Sequence, residues 1–202
     1  LGGDAGRIVL HVNNPIASCE TVGVPRRCPD GVSDSDGRIQ PGLSGVYLAR
    51  LAVLGPQLHP VFEKMHAEAS QRNFPIIGPE AGRFFFQLAA LKRPGRVLEL
   101  GSGFGYSAIW WALGCEDTRV VLTEYKLSNI KQARAFAEEA GVADRLQYHV
   151  GEALDVARQL SPHFDVIFAD IDKENYPHAV DLALEMLEPG GLLIYDNMLW
   201  HG

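Results

Sequence analysis

The stretch Val97-Leu-Glu-Leu-Gly-Ser-Gly-Phe-Gly-Tyr-Ser107 decides the fold. Val97, Leu98 and Leu100 form a short apolar run of the kind that makes a parallel strand covered on both faces. Gly101, Gly103 and Gly105 follow at alternate positions, and the pattern predicts a helix starting near Tyr106. Ligands of open α/β sheets sit beyond the carboxyl ends of the strands. Glycines there let backbone approach a ligand with no Cβ in the way. A tight turn without a ligand is the plainer alternative for a lone glycine, and three in five residues at a strand-to-helix junction weigh against it.

Outward from this loop the chain alternates strand and helix. Strands are predicted at Arg96–Leu100, Arg119–Glu124, Leu146–Val150, Phe164–Asp170 and Gly191–Asn197. Helical spacing joins Leu58, Val61, Phe62, Met65 and Ala69 upstream, and then Ala81, Phe84, Phe85, Leu88 and Leu91 behind the helix start Gly78-Pro79-Glu80. Residues 127–140 carry Ile130, Ala133, Ala137 and Ala140 on one stripe, and residues 174–187 carry Val180, Ala183, Leu184 and Leu187. Gly114, Gly141 and the Pro189-Gly190-Gly191 turn mark stops. Five strands alternating with helices predict an α/β three-layer sandwich with a parallel central sheet.

Composition shifts near residue 45. Residues 1–45 hold eight Gly and four Pro, and only Arg7–Val12 could make a strand. We therefore expect a mobile Gly/Pro-rich extension over 1–45 and a folded domain over 46–202, with a strand docked on a sheet edge as the alternative. The chain has 202 residues, enough for one sizeable core, and a formal net charge of −7. That balance argues against gripping nucleic acid or an anionic membrane, without ruling out an RNA substrate held by a local patch. No apolar run approaches a membrane span, and the start shows no signal peptide. Cys19, Cys28 and Cys115, with no CxxC, suit a cytoplasmic protein better than a disulfide scaffold or zinc site.

The loop itself discriminates between cofactors. A dinucleotide site places the third glycine of G-x-G-x-x-G at position 106, which is Tyr here. The G-x-G-x-G spacing behind Glu99 suits S-adenosylmethionine, which has no phosphate to cradle and carries an ammonium and a sulfonium. Glu124, 25 residues after Glu99, ends the second strand and could accept both hydroxyls of a ribose. It would serve a nicotinamide cofactor equally well. Gly151-Glu152-Ala153 follows the third strand, near the expected adenine.

Two further strand ends carry acids. Asp170, Asp172 and Lys173 end the fourth, and Asp196 and Asn197 end the fifth. Asp170, Asp196 and Asn197 would offer three hard oxygen ligands at one rim, a set that suits Mg²⁺. Two carboxylates without a cation would repel each other. Polar strand ends or helix caps are the plainer alternative.

The chain resembles the cation-dependent O-methyltransferases, the family of catechol and caffeoyl-coenzyme A O-methyltransferases with their bacterial relatives. The matching text is NFPIIGPEAGRFF (73–85), VLELGSGFGYSA (97–108), Glu124, GVADRLQYHVGEA (141–153), FDVIFADIDKENYP (164–177) and LEPGGLLIYDNMLWHG (187–202). The resemblance spans residues 58–202 and implies the Rossmann-like methyltransferase sandwich. It places Ile77 against the cofactor, with Glu99, Gly101 and Ser107 around the methionine part and Gly103 and Tyr106 in the same loop. It puts Glu124 on the ribose, Glu152 and Ala153 beside the adenine, and Asp170 between cofactor and metal. Asp196 and Asn197 complete the metal ligands, and Lys173 matches the family's proposed catalytic lysine, acting beside Asp170. The family's chains continue past the D-N-x-L-W segment with a further helix and two strands that complete the sheet, so the resemblance implies either a fragment or a sheet lacking its last strands, with the fifth strand near an unfinished edge.

The implied activity is transfer of the cofactor's methyl group to one hydroxyl of a small vicinal-diol aromatic, in a cytoplasmic protein that is a candidate homodimer. Asp172, Trp200 and His201 lie near the expected substrate mouth. A tRNA hydroxyuridine methyltransferase, a nicotinamide dehydrogenase and a non-catalytic cofactor-binding protein are the alternatives. Tyr106 and the carboxylates oppose the dehydrogenase.

Overall fold

A computed structural model describes the backbone of residues 8–12 and all atoms of residues 59–196. In chain order the elements are β1 (Ile8–Val12), α1 (Val61–Arg72), α2 (Pro79–Lys92), β2 (Arg96–Leu100), α3 (Tyr106–Gly114), β3 (Arg119–Glu124), α4 (Leu127–Glu139), β4 (Leu146–Val150), α5 (Ala153–Ala157), β5 (Phe164–Ala169), α6 (Tyr176–Met186) and β6 (Leu187–Asp196). The strands form one parallel sheet in the order β1, β6, β5, β2, β3, β4. β2 is central: Val97 lies opposite Val120 of β3 and opposite Val166 of β5. The chain runs outward from β2 to one side and then returns to the other. The crevice at that reversal is where ligands of such sheets bind.

Successive strand side chains face opposite sides of a sheet, and the core divides accordingly. Val97, Val120, Val166, Phe168 and Ile194 join the cluster under α1, α2, α3 and α4. Leu98, Val121, Ile167 and Leu193 join the cluster under α5 and α6. Stacked pairs fill the first layer, with Phe62 on Trp110 at 4.0 Å and Phe85 on Trp111 at 4.7 Å between ring centroids.

All five predicted strands form, and the stripes on α1 and α4 are buried as expected. Two helices are rotated from the expected phase. In α2 the buried residues are Ala81, Gly82, Phe85 and Ala89, while Phe84 and Leu91 are exposed. The reason is close contact with α3: a Cβ on Gly82 would lie 2.1 Å from Trp110 Nε1. Small residues therefore face the neighbouring helix, and the larger ones are turned outward. In α6 the buried set is Ala179, Leu182, Ala183 and Met186, and Val180 and Leu184 are exposed. The Pro189-Gly190-Gly191 turn lies inside β6 instead of before it, with a register shift against β5 between Phe164 and Val166.

The extension needs a correction over its one strand-like segment. Ile8–Val12 docks on the outer edge of β6, with Val12 opposite Asp196. An exposed strand edge is a template for unwanted pairing, and β1 covers this one, so β6 is not an edge strand here. The rest of residues 1–58 lies outside the described residues, as do Asn197, Trp200 and His201. Among the described residues no helix is long and apolar enough to cross a membrane.

Candidate cofactor and acceptor site

A cavity of about 610 Å³ opens at the carboxyl ends of β2, β3, β4 and β5. Ile77, Gly101, Gly103, Tyr106, Ser107, Glu124, Glu152, Ala153 and Asp170 all line it. The structure thus brings together nine of the expected cofactor residues from five separate segments. Glu99, the tenth, stands behind the wall.

The three loop glycines have left-handed backbone, with φ of 80° at Gly101, 51° at Gly103 and 83° at Gly105. At Gly101 a Cβ would lie 2.3 Å from the backbone oxygen of Asp170. The β2 loop and the β5 end are in backbone contact there, and Asp170 N–H donates to Leu100 O at 2.9 Å. Gly103, which lines the cavity, has a packing constraint as well. A Cβ there would meet the Phe74 ring at 2.9 Å, so the residue makes room for the wall of the cavity.

Glu99 is fully buried. Its Oε1 accepts a hydrogen bond from Ser107 Oγ, and its Oε2 has no hydrogen-bond partner. Burial is the larger cause that pushes its pKa up to about 8; the Ser107 bond opposes this, and the charge of Asp170 adds to it. An orphaned oxygen on a buried carboxylate is costly, and a cationic group arriving at Ser107 would relieve it. Glu124 accepts from Lys126 N–H at 2.7 Å. Glu152 caps α5 by accepting from Asp155 N–H at 3.0 Å, so its carboxylate has a structural duty besides lining the cavity. Tyr106 OH pairs with His66 Nε2 at 2.7 Å.

The acidic rim is partly described. Asp170 is open to the cavity, yet the protein around it costs it hydration. That loss, with the Asp196 carboxylate second, pushes its pKa up to about 7, while Lys173 pulls it back. Asp196 is buried at the end of β6. Lys173 is exposed, opens a 3₁₀ turn over Lys173–Asn175, and does not line the cavity. Among the described residues no group of three or more His, Cys, Asp or Glu side chains converges on a metal position. A metal reading therefore rests on the charge of Asp196 felt at Asp170, a repulsion that a hard cation would relieve.

Reasoning from sequence missed several lining residues. Phe74 packs on Phe104 at 5.2 Å between centroids and lines the cavity against the glycine loop. Tyr125, Lys126, Thr123 and Asn175 also line the cavity. Tyr125 is 67% exposed, and its place directly after Glu124 was the available signal.

A family model described as O-methyltransferase matches residues 55–202. The chain belongs to the O-methyltransferase family. It is 37% identical over 128 residues to a catechol O-methyltransferase of Mycobacterium tuberculosis, covering 62% of this chain and 58% of that one. It is 30% identical over 152 residues to a caffeoyl-CoA O-methyltransferase of Populus kitakamiensis, covering 72% and 63%. The chain thus spans about three-fifths of these curated relatives. Among solved structures, the O-methyltransferase TomG from Streptomyces achromogenes, in complex with S-adenosylmethionine, matches with a TM-score of 0.71 at 30% identity, covering 78% of this chain and 74% of that one. An O-methyltransferase from Bacillus cereus, in complex with S-adenosylhomocysteine, matches with a TM-score of 0.70 at 30% identity over the same shares. These neighbours share the Rossmann-like sandwich.

Proposed function

We propose that this O-methyltransferase chain binds S-adenosylmethionine in the cavity and, with a divalent cation, most favourably Mg²⁺, methylates one hydroxyl of a vicinal-diol aromatic. The observation that carries the reading is a pair of acids at one cleft, Glu99 buried behind its wall and Asp170 lining it. Glu99 offers an unpaired oxygen behind Ser107, and Asp170 joins the cavity to Asp196.

Each residue has a stated task. Glu99 Oε2 takes the ammonium of the methionine part, and the Ser107 hydroxyl fixes the carboxylate. Glu124 accepts from the ribose hydroxyls. Tyr125 offers an exposed ring on which adenine can stack. Ile77 and Phe74 line the cavity with apolar surface and exclude water. When bound, S-adenosylmethionine supplies an activated methyl group on a sulfonium. Asp170, Asp196 and Asn197 would hold the cation, and a bound Mg²⁺ lowers the pKa of a hydroxyl next to it. Lys173 Nζ, as the free amine, takes the proton leaving the acceptor hydroxyl, or, as the ammonium, steadies the developing anion.

Titration calorimetry with S-adenosylmethionine, S-adenosylhomocysteine and NAD tests the cofactor assignment. The first two are expected to bind and NAD to give no heat. Binding of NAD alone would move the site to the dehydrogenase reading. Catechol and a ring with a single hydroxyl are then offered as acceptors; the diol is expected to turn over faster.

A further inference from the structure

We propose that Tyr176 is a positioning residue for the acidic rim: its hydroxyl holds the end of β6, and with it Asp196, against the turn that carries Asp170 and Lys173. The inference rests on the reading that Asp170 and Asp196 share a cation, and adds how their separation is fixed.

The sheet does not fix it. The ladder between β5 and β6 ends at Ala169 opposite Tyr195, one residue short of both carboxylates. On its far side Asp196 is paired with Val12 of β1. On the β5 side Tyr176 takes over. It opens α6 directly after the 3₁₀ turn Lys173–Asn175. Its hydroxyl donates to the backbone oxygen of Asp196 at 2.5 Å. Tyr195 OH returns a hydrogen bond to the backbone oxygen of Tyr176 at 3.1 Å. The two rings pack with centroids 4.7 Å apart. Two hydrogen bonds in opposite directions and a ring contact thus fasten the Asp170–Lys173 turn to the last residues of β6.

The chemistry of the phenol fits the task. A phenol carries one O–H donor, and here that donor is spent on the Asp196 backbone oxygen. Ligands on separate segments must be held within about 0.5 Å of their working geometry, by partners that are themselves locked. Tyr176 is locked by Tyr195.

The test is Tyr176→Phe in the full chain, which removes one oxygen and keeps the ring packing. Mn²⁺ binding is followed by electron paramagnetic resonance, and S-adenosylmethionine binding by calorimetry. Mn²⁺ affinity is expected to fall about 10–100-fold, the range for lost partners of metal ligands, while cofactor affinity stays within about twofold. Tyr195→Phe, one bond further back, is expected to show a smaller loss of Mn²⁺ affinity in the same direction, and it carries the test if Tyr176→Phe does not fold. Unchanged Mn²⁺ affinity in a folded Tyr176→Phe protein overturns the proposal, as does an equal loss of cofactor affinity, which would mark a general structural role. A wild-type chain that binds no Mn²⁺, or binds it equally well after Asp196→Ala, overturns the metal reading itself and the proposal with it.

Discussion

Ser107 donates its hydroxyl hydrogen to one oxygen of Glu99 and leaves the other oxygen of that buried carboxylate without a partner. The pair joins the end of β2 to the first turn of α3, so the loop between them is pinned from within. One acid thereby holds the glycine loop in shape and keeps an unsatisfied acceptor directly behind the cavity wall.

Cofactor affinity is expected to depend on pH through that acid. With its pKa near 8, Glu99 is largely protonated in the empty protein at neutral pH and must ionise to take an ammonium. Affinity for S-adenosylmethionine is therefore expected to rise from pH 6 to pH 8, and Glu99→Gln to bind more weakly by about 1.5–3 kcal/mol, a hydrogen bond to a charged group. Calorimetry of both proteins across this range checks it. Asp170 contributes to the slope in both, so the difference between them isolates Glu99.

Stability of the empty protein is expected to run the other way. A folded-state pKa raised above 4.5 to about 8 means that the folded chain keeps a proton which the unfolded chain gives up. The stabilising contribution is whole below the unfolded value and is lost as pH rises towards 8. Melting temperatures of the ligand-free protein should fall between pH 5 and pH 8, and less steeply in Glu99→Gln. An equal slope in both proteins would remove Glu99 as the cause.

Gly101 and Gly141 separate backbone strain from crowding. Both have left-handed φ, 80° and 69°, but a Cβ at Gly101 meets Asp170 O at 2.3 Å while a Cβ at Gly141 meets nothing within 4 Å. Gly141→Ala is expected to cost about 1–2 kcal/mol, or a drop in Tm of a few degrees, with cofactor affinity intact. Gly101→Ala is expected to cost more and to weaken cofactor binding, because the loop and the Asp170 backbone must part. Thermal melts and calorimetry on the two variants check both halves.

Most of the fold was legible because its strands are short apolar runs between punctuating glycines, and because Glu99, Glu124 and Asp170 each end a strand or lie one residue from its end. Helix phase was less legible. Spacing alone put Phe84 and Leu91 inwards, whereas the close approach of α2 to Trp110 selects Gly82 and Ala89. The β1 strand was read from Arg7–Val12, but its place on β6 is a pairing across more than 180 residues that no local pattern encodes. Within the site, the role of Gly103 depends on Phe74, and the orphaned oxygen of Glu99 depends on the reach of Ser107. Both are facts of three-dimensional packing.

Lys173 is expected to act on turnover and not on cofactor binding, since it stands outside the cavity wall yet near enough to Asp170 to lower its pKa. Lys173→Met should reduce kcat by about 10²–10⁴, the span of a lost general base, with S-adenosylmethionine affinity unchanged. Single-turnover kinetics with the cofactor in excess checks it, and a full-rate variant would release the lysine from the chemistry.

Turnover of catechol with S-adenosylmethionine, after exhaustive chelation and stepwise return of Mg²⁺, is the sharpest test of a cation held by Asp170 and Asp196. Transfer is expected to be lost in chelator and restored as Mg²⁺ saturates, with Asp196→Ala shifting the half-saturating Mg²⁺ far upward while calorimetry finds its cofactor affinity intact. Full turnover in chelator would remove the cation from the chemistry.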